Sequence, residues 1–450
     1  MVFLNTLILL VTKLVGFYRM TRRSLLVRDL DVIKNILIKD FEYFEDRGIE
    51  YNLKGLGGNL FHANSKIWRP LRNQLSHLFT SGKLRNMVAL INERGDIFIN
   101  RLKKITETQN NQEIKKLIEI FTTSSIVACS FGLDINTDSG KMMEKLREVN
   151  NAVSVRSFSQ DVDLLHPGAL KSLNLSFFSK NINGFLLELV NDIILARNGV
   201  PSKKNDFIDT LIELKNQGNI TKVKNGEDPN SASEYQEMTN EILAAQALIF
   251  FIGSETSAAA LAFTMYELAL NPDIQEKLIA EVDVVLARHN GNITIEAIAE
   301  LSYMDKVLHE TLRKYPTADL TRRAKADYKI PGTNITIEKD VTILVPLLAI
   351  SRDEKYYPNP NKFDPERFSA GNDSCRHPCA NIPFGTGPRH CIGKLFAKYQ
   401  SRICLIKFFS TFYVEKSKDT QKYITPDPNR ITYAAKGGIH LNILRRRIPQ

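Results

Sequence analysis

Strand-like runs sit towards the two ends of the chain, and helical spacing fills the middle. Leu25–Arg28, Thr342–Val345 and His440–Leu444 read as short strands, while the segments between them repeat apolar positions every three to four residues. The longest helical signal runs from about Met238 to Leu270. From Ile242 to Ile252 it is apolar on nearly every side, the pattern of a helix with no solvent face. Glu255 interrupts the run after the 13 residues Ile242–Ser254, short of the roughly 20 that a membrane span needs. Asn271-Pro272 then stops the helix and opens the next, with Asn271 as N-cap and Pro272 in its first turn. Further helices are predicted over Met304–Tyr315, ending before Pro316, and over Lys394–Phe409. Asn216–Gln236 is polar and carries Gly218, Gly226 and Pro229, so it reads as a surface loop. From Val15 onward no repeat or low-complexity linker divides the chain, and one continuous domain over residues 15–450 is expected.

Composition narrows the class. At 450 residues, 43% hydrophobic and 24% charged, the chain is neither disordered, collagen-like nor a coiled coil. Five cysteines without paired spacing exclude a disulfide scaffold and suit a reducing compartment. Sixty basic against fifty acidic residues leave +10, a surplus spread over a large chain that fits solubility or partner docking better than nucleic-acid binding. Residues 1–14 begin with a nearly apolar run, Met1–Leu10, broken by Lys13 and followed by Arg19, Arg22 and Arg23. The run is short for a span, and no small-residue cleavage site follows it. A membrane-associated start facing the cytosol is expected, against the plainer reading of a buried strand.

Candidate chemistry concentrates at Phe384-Gly385-Thr386-Gly387-Pro388-Arg389-His390-Cys391-Ile392-Gly393. The glycines and proline force an irregular loop, and Gly393 leaves room for something large beside the backbone after Cys391. The helix predicted from Lys394 puts Cys391 near a helix N-terminus, where the dipole and free N–H groups favour a thiolate. Arg389 offers a cation to an anionic group. Three other readings stay open on the residues alone. They are a buried structural cysteine, a zinc cluster drawn from Cys375, His377, Cys379, His390 and Cys391, and ligation by His390 in place of Cys391.

The spacing Phe-x-x-Gly-x-Arg-x-Cys-x-Gly, met by Phe384, Gly387, Arg389, Cys391 and Gly393, resembles the haem-binding loop of the cytochrome P-450 superfamily. The resemblance extends from about Val15 to Ile448. Stretches such as Phe79-Thr80-Ser81-Gly82-Lys83 and Asp327-Tyr328-Lys329-Ile330-Pro331-Gly332 are most similar to insect microsomal members that oxidise foreign lipophilic compounds. It implies a mainly α fold with small β-sheets and a haem b (iron protoporphyrin IX) whose axial ligand is the Cys391 thiolate. Phe384 and Gly393 then belong to the haem loop. Trp68 and Arg72, at i,i+4 on one helical face, match positions that contact one haem propionate; Arg322 matches a position that contacts the other, with Arg323 as competitor. Glu310-x-x-Arg313 and the Arg367 of Pro365-Glu366-Arg367-Phe368 match a buried structural network. Gly253-Ser254-Glu255-Thr256 matches the acid–alcohol element beside the reacting centre. Splitting dioxygen consumes protons, and Glu255 with Thr256 is the expected relay; a hydroxyl bonded to its own helix is the plainer alternative. Where a small residue usually precedes the glycine, Ile252 stands here.

The implied activity is monooxygenation of lipophilic, xenobiotic substrates with electrons from NADPH through a flavoprotein reductase, and with cytochrome b5 as a second donor. The implied place is the cytosolic face of the endoplasmic reticulum membrane. Arg376, Lys394, Lys398 and Arg402 are the expected docking cations. Family members carry an anchor and proline-rich hinge ahead of the strand resembling Leu14–Met20; here the first proline is Pro70, so residues 1–14 read as a truncated anchor. Two rivals are a haem-thiolate isomerase that needs no reductase, and a haem or ligand binder inactivated by that truncation.

Overall fold

The computed structural model describes residues 13–19, 22–49, 55–135, 141–166, 168–202, 206–218, 238–373 and 376–447. Most of the loop expected over Asn216–Gln236, Cys375 and most of the 1–14 segment therefore lie outside the described residues; Asn216 itself closes the helix Phe207–Asn216. The principal helices are α1 (Ser65–Ser76), α2 (Ser81–Thr108), α3 (Ile114–Phe131), α4 (Lys180–Ala196), α5 (Asn240–Leu270), α6 (Pro272–Arg288), α7 (Ser302–Lys314) and α8 (Lys394–Phe409). The longer strands are β1 (Leu14–Arg19), β2 (Arg22–Val27), β3 (Asn111–Glu113), β4 (Leu320–Arg323), β5 (Thr342–Val345), β6 (Phe412–Lys416) and β7 (His440–Arg445), and Tyr328–Lys329 pairs with Thr336–Ile337 in a small hairpin. The protein is mainly α-helical with small sheets.

Helix α5 is the axis of the structure. Most of its side chains are buried, because there is no polar face to turn outward. Its length and hydropathy would allow a membrane crossing, yet it lies inside the protein, packed on α3, α4 and α7. Two apolar cores flank it. One joins α2, α3, α6, α7, α8 and strands β6 and β7; the other joins α1, α4 and the first half of α5. Helix α3 sits between them and is buried almost throughout, ending at Gly132 with φ +64°, a left-handed cap that glycine adopts without strain.

The N-terminal strands pair with strands far along the chain. The sheet order is β1-β2-β5-β4, with β2 parallel to β5 (Ser24 opposite Thr342) and β4 antiparallel to β5 (Arg322 opposite Ile343). A second sheet places β7 between β3 and β6. The strand expected at Leu25–Arg28 occupies Arg22–Val27 instead, because its pairing with β1 runs back to Arg22 opposite Arg19; beyond Val27, the Arg28 N–H bonds the Lys13 carbonyl at 2.9 Å and its side chain donates to Asp353 at 2.7 Å. Asn271 also differs from expectation. Its amide donates back to the Glu267 carbonyl at 2.8 Å, closing α5, and makes no side-chain cap on α6.

Candidate active site

The loop 384–393 is shaped by two left-handed glycines, Gly385 (φ +69°) and Gly387 (φ +71°). At Gly387 the need is twofold. An added Cβ would stand 1.8 Å from the Leu37 carbonyl oxygen, so the segment Asn35–Lys39 presses directly onto the loop. The turn closes when the Cys391 N–H donates to the Phe384 carbonyl at 2.8 Å and the His390 N–H to that of Gly387 at 3.0 Å. Gly393 is different. Its φ is −86°, and an added Cβ would meet only Phe79, at 3.9 Å, so no protein group claims the space beside it.

Cys391 is exposed, and its sulfur accepts the Gly393 N–H. Desolvation is the largest influence and pushes the thiol up, against the pull of that N–H and of Arg72 and Arg47. A bound cation, such as a ferric iron, would reverse that balance.

Beside the loop lies a cavity of about 440 Å³ lined by Trp68, Arg72, Phe79, Pro388, His390 and Ile392. Asn64 caps α1 by accepting the Ile67 N–H, and the helical i,i+4 spacing then presents Trp68 and Arg72 on one face. The Arg389 guanidinium stacks on Trp68 at 4.3 Å, and Arg72 meets His390 Nε2 at 3.2 Å. Phe79 stacks on Phe250 at 6.2 Å, which brings α5 to the same side of the cysteine loop one turn before Gly253.

Buried Arg322 and Arg389 and half-buried Arg47 form a cationic cradle with Arg72 at its edge. Arg322 is 2% exposed and spends one N–H on the Thr321 carbonyl; Arg389 is 4% exposed and donates to the Ala63 carbonyl at 2.8 Å. Arg323, its neighbour on β4, points the other way towards Asp340, so strand alternation selects Arg322. Arg322 Nε, Arg47 Nε and both Nε and Nη1 of Arg389 have no partner. Burial first, and repulsion among these cations second, pushes Arg389 down to about 9; Arg322 falls well below its usual range. Burial likewise takes Arg47 to about 10, aided by Arg72 and opposed by Cys391. Asp46, 3.6 Å from Arg389, is a partial counter-charge at best. Clustered guanidinium groups of one sign, with buried nitrogens left without partners among the described residues, call for anions, and the two carboxylates of a haem meet that need beside a free thiol. These residues fit the group.

Arg47 was not singled out by the sequence. In Phe44-Glu45-Asp46-Arg47-Gly48 it reads as a solvated charged turn, yet its guanidinium lies over Phe61 at 4.1 Å. Only the chain path reveals its burial.

The Glu310–Arg313 pair on α7 is fully buried, with contacts of 2.6 and 2.8 Å. Arg367 reaches Glu310 at 3.4 Å, and the Asp364 N–H donates to the same carboxylate at 2.9 Å. On α5, Glu255 is 2% exposed and paired with Lys115 at 2.7 Å, while Thr256 donates to the Gly253 carbonyl at 3.2 Å. Ile252 is half-buried. Among the four expected docking cations, Arg402 is held bidentately by Asp305, and Arg376 is sandwiched between Tyr357 and Phe368 while donating to the Arg367 carbonyl. Those two are structural, since their charges are already used within the fold. Among the described residues no group of three His, Cys, Asp or Glu side chains is arranged to hold a metal, which removes the zinc reading for His377, Cys379, His390 and Cys391.

Fold and site together define a class: an α-rich protein enclosing a haem beside a cysteine loop. The chain belongs to the cytochrome P450 family, whose model matches residues 10–441. It is 48% identical to cytochrome P450 6B1 of Papilio polyxenes over 436 residues, covering 96% of this chain and 86% of the relative. It is 46% identical to cytochrome P450 6B2 of Helicoverpa armigera (97% and 86% covered) and 35% identical to probable cytochrome P450 6a14 of Drosophila melanogaster (96% and 86%). It is a haem-thiolate monooxygenase acting on xenobiotics, supplied with electrons by a reductase and associated with the endoplasmic reticulum membrane.

Proposed function

We propose that the cofactor is haem b, ligated by Cys391 with Phe384 and Gly393 forming its loop, and that Arg72, Arg322, Arg389 and Arg47, with Trp68, neutralise its propionates. The observation that carries this reading is the set of unpartnered buried guanidinium atoms of Arg47, Arg322 and Arg389 beside that loop. When bound, the haem activates dioxygen; the protein's work is to hold it, exclude water and deliver protons. Glu310, Arg313 and Arg367 hold the fold around the site, and Glu255 with Thr256 delivers protons from α5. Residues 15–450 act as the monooxygenase domain, with residues 1–14 at the cytosolic face of the membrane and cytochrome b5 as an accessory donor.

Turnover of an alkoxycoumarin probe is the experiment. Dealkylation that requires NADPH and the flavoprotein reductase supports the monooxygenase. NADPH-independent rearrangement of an added lipid hydroperoxide, with no dealkylation of the coumarin, would indicate an isomerase, and haem uptake with neither reaction a binder. Thr256→Ala is expected to keep the haem but release hydrogen peroxide in place of product, a loss of coupling of at least about tenfold on the scale of proton-transfer catalysis. Thr256→Ser should restore most of it. Peroxide release unchanged in Thr256→Ala would leave its bond to Gly253 as a purely helical feature.

A further inference from the structure

From Ile242 to Ile252 helix α5 carries one polar side chain, Gln246, and it is fully buried. Its Oε1 accepts the Leu60 N–H at 2.9 Å. Its Nε2 donates to the Gly58 carbonyl at 2.9 Å and to the Ile242 carbonyl of its own helix at 3.1 Å. A buried amide costs stability unless its bonds are made, and an apolar residue would complete this helix without that cost. The two bonds that leave α5 both go to one short stretch of backbone, so the amide serves that stretch. Where the stretch begins, the Leu56 N–H donates to Asn183 Oδ1 on α4 at 3.1 Å. Asn59 then braces the turn, accepting the N–H groups of Phe61 at 3.0 Å and His62 at 3.1 Å. Where it ends, the Ala63 carbonyl takes the Arg389 guanidinium, Arg47 lies over Phe61, and Asn64 caps the helix that carries Trp68 and Arg72. Phe250, one turn beyond Gln246, stacks on Phe79 beside the cavity. Both anchors of the segment thus border the site, one on α5 and one on the cysteine loop.

We infer that Gln246 is a specificity-determining positioning residue: by docking Gly58–Leu60 on α5, it fixes how far the segment Gly58–Ala63 stands from the cysteine loop, and so how large a lipophilic substrate the site admits. This rests on the proposed haem site between α5 and the Cys391 loop. The amide is suited to the task because it offers an acceptor and a donor side by side, matching the Leu60 N–H and the Gly58 carbonyl. Without it, both backbone groups lose a buried partner and must turn towards water or new partners. The segment then leaves α5 while Arg389 still holds its far end at Ala63. Phe61 and His62, which lie between the two anchors, move with it, and the space beside α5 widens.

The test uses the haem-loaded enzyme and two variants that keep the side-chain size, Gln246→Met and Gln246→Glu. Haem content and the carbon-monoxide spectrum are measured first, then kcat/KM for a methoxycoumarin and a pentyloxycoumarin. Gln246→Met should keep the haem and the thiolate band and raise the pentyloxy-to-methoxy ratio about tenfold, the scale on which a pocket discriminates alkyl length. In Gln246→Glu the introduced carboxyl can reproduce both bonds only while protonated, since the carboxylate has no hydrogen for the Gly58 carbonyl. Its ratio should therefore match the wild type in acid and rise with pH, above the ordinary carboxylate range because the position is buried. The wild type measured over the same pH range accounts for His62 on the same segment. A wild type without the thiolate band would remove the haem reading and this inference with it. A wild type with the band, and variants that keep the haem with an unchanged ratio at every pH, would overturn the inference alone. Loss of haem from both variants at every pH would also overturn it, making Gln246 a residue of the fold.

Discussion

Glu310→Leu is expected to prevent accumulation of folded, haem-loaded protein. The substitution leaves Arg313, wholly enclosed, without its counter-charge and strips the Asp364 N–H of its acceptor. Breaking a buried pair from one side costs about 3–5 kcal/mol, a large part of the roughly 5–15 kcal/mol that stabilises a folded protein. Adding Arg313→Leu to make an apolar pair should not rescue the protein. Arg313 also donates to the Ser351 carbonyl at 2.9 Å, and both bonds to the flanking segment would still be missing. Thermal unfolding and haem content measure this. Recovery to wild-type stability in the double variant would mean that the network adds nothing beyond charge compensation.

Gly387→Ala should be nearly as damaging, for steric reasons. Its Cβ would overlap the Leu37 carbonyl at 1.8 Å, and the φ of +71° adds roughly 1–2 kcal/mol for a non-glycine residue. Because both partners are backbone, relief requires the cysteine loop and the segment Asn35–Lys39 to separate, which carries Cys391 out of place. Gly385→Ala is the control. It shares the left-handed conformation, but its Cβ would come no nearer than 3.7 Å to a neighbour, so only the conformational cost applies. Gly387→Ala is expected to lose haem and Gly385→Ala to retain most of it; equal retention would show that the loop yields easily at Gly387.

The parts legible in the sequence were those that periodicity or a fixed spacing controls. The all-round apolar stretch before Gly253 marks α5 as a core helix, and helix α8 begins at the predicted Lys394. Trp68 and Arg72 share a helical turn, so their common face could be read directly. Less legible was whatever depends on distant segments meeting. Arg47 joins the cradle only because its turn comes close enough to Arg322 and Arg389 for their charges to repel, and Arg402 is unavailable for docking only because Asp305 stands opposite it. The Cys391 thiol is another case: a helix terminus is visible in sequence, whereas the desolvation and the cations of Arg72 and Arg47 that act on it are not. Gly393 reads in sequence as room beside the backbone, and an added Cβ there would meet only Phe79 at 3.9 Å, whereas the left-handed backbone falls on Gly385 and Gly387.

The central claim is that Cys391 presents a thiolate to a haem held by the arginine cradle, and the absorption spectrum of the reduced, carbon-monoxide-bound protein tests it most directly. The wild type and Cys129→Ala, whose sulfur lies in the core 2% exposed, should both give the strongly red-shifted Soret band of a thiolate ligand. Cys391→Ala should lack it. An unshifted band in the wild type, or loss of the shifted band in both variants alike, would contradict the assignment.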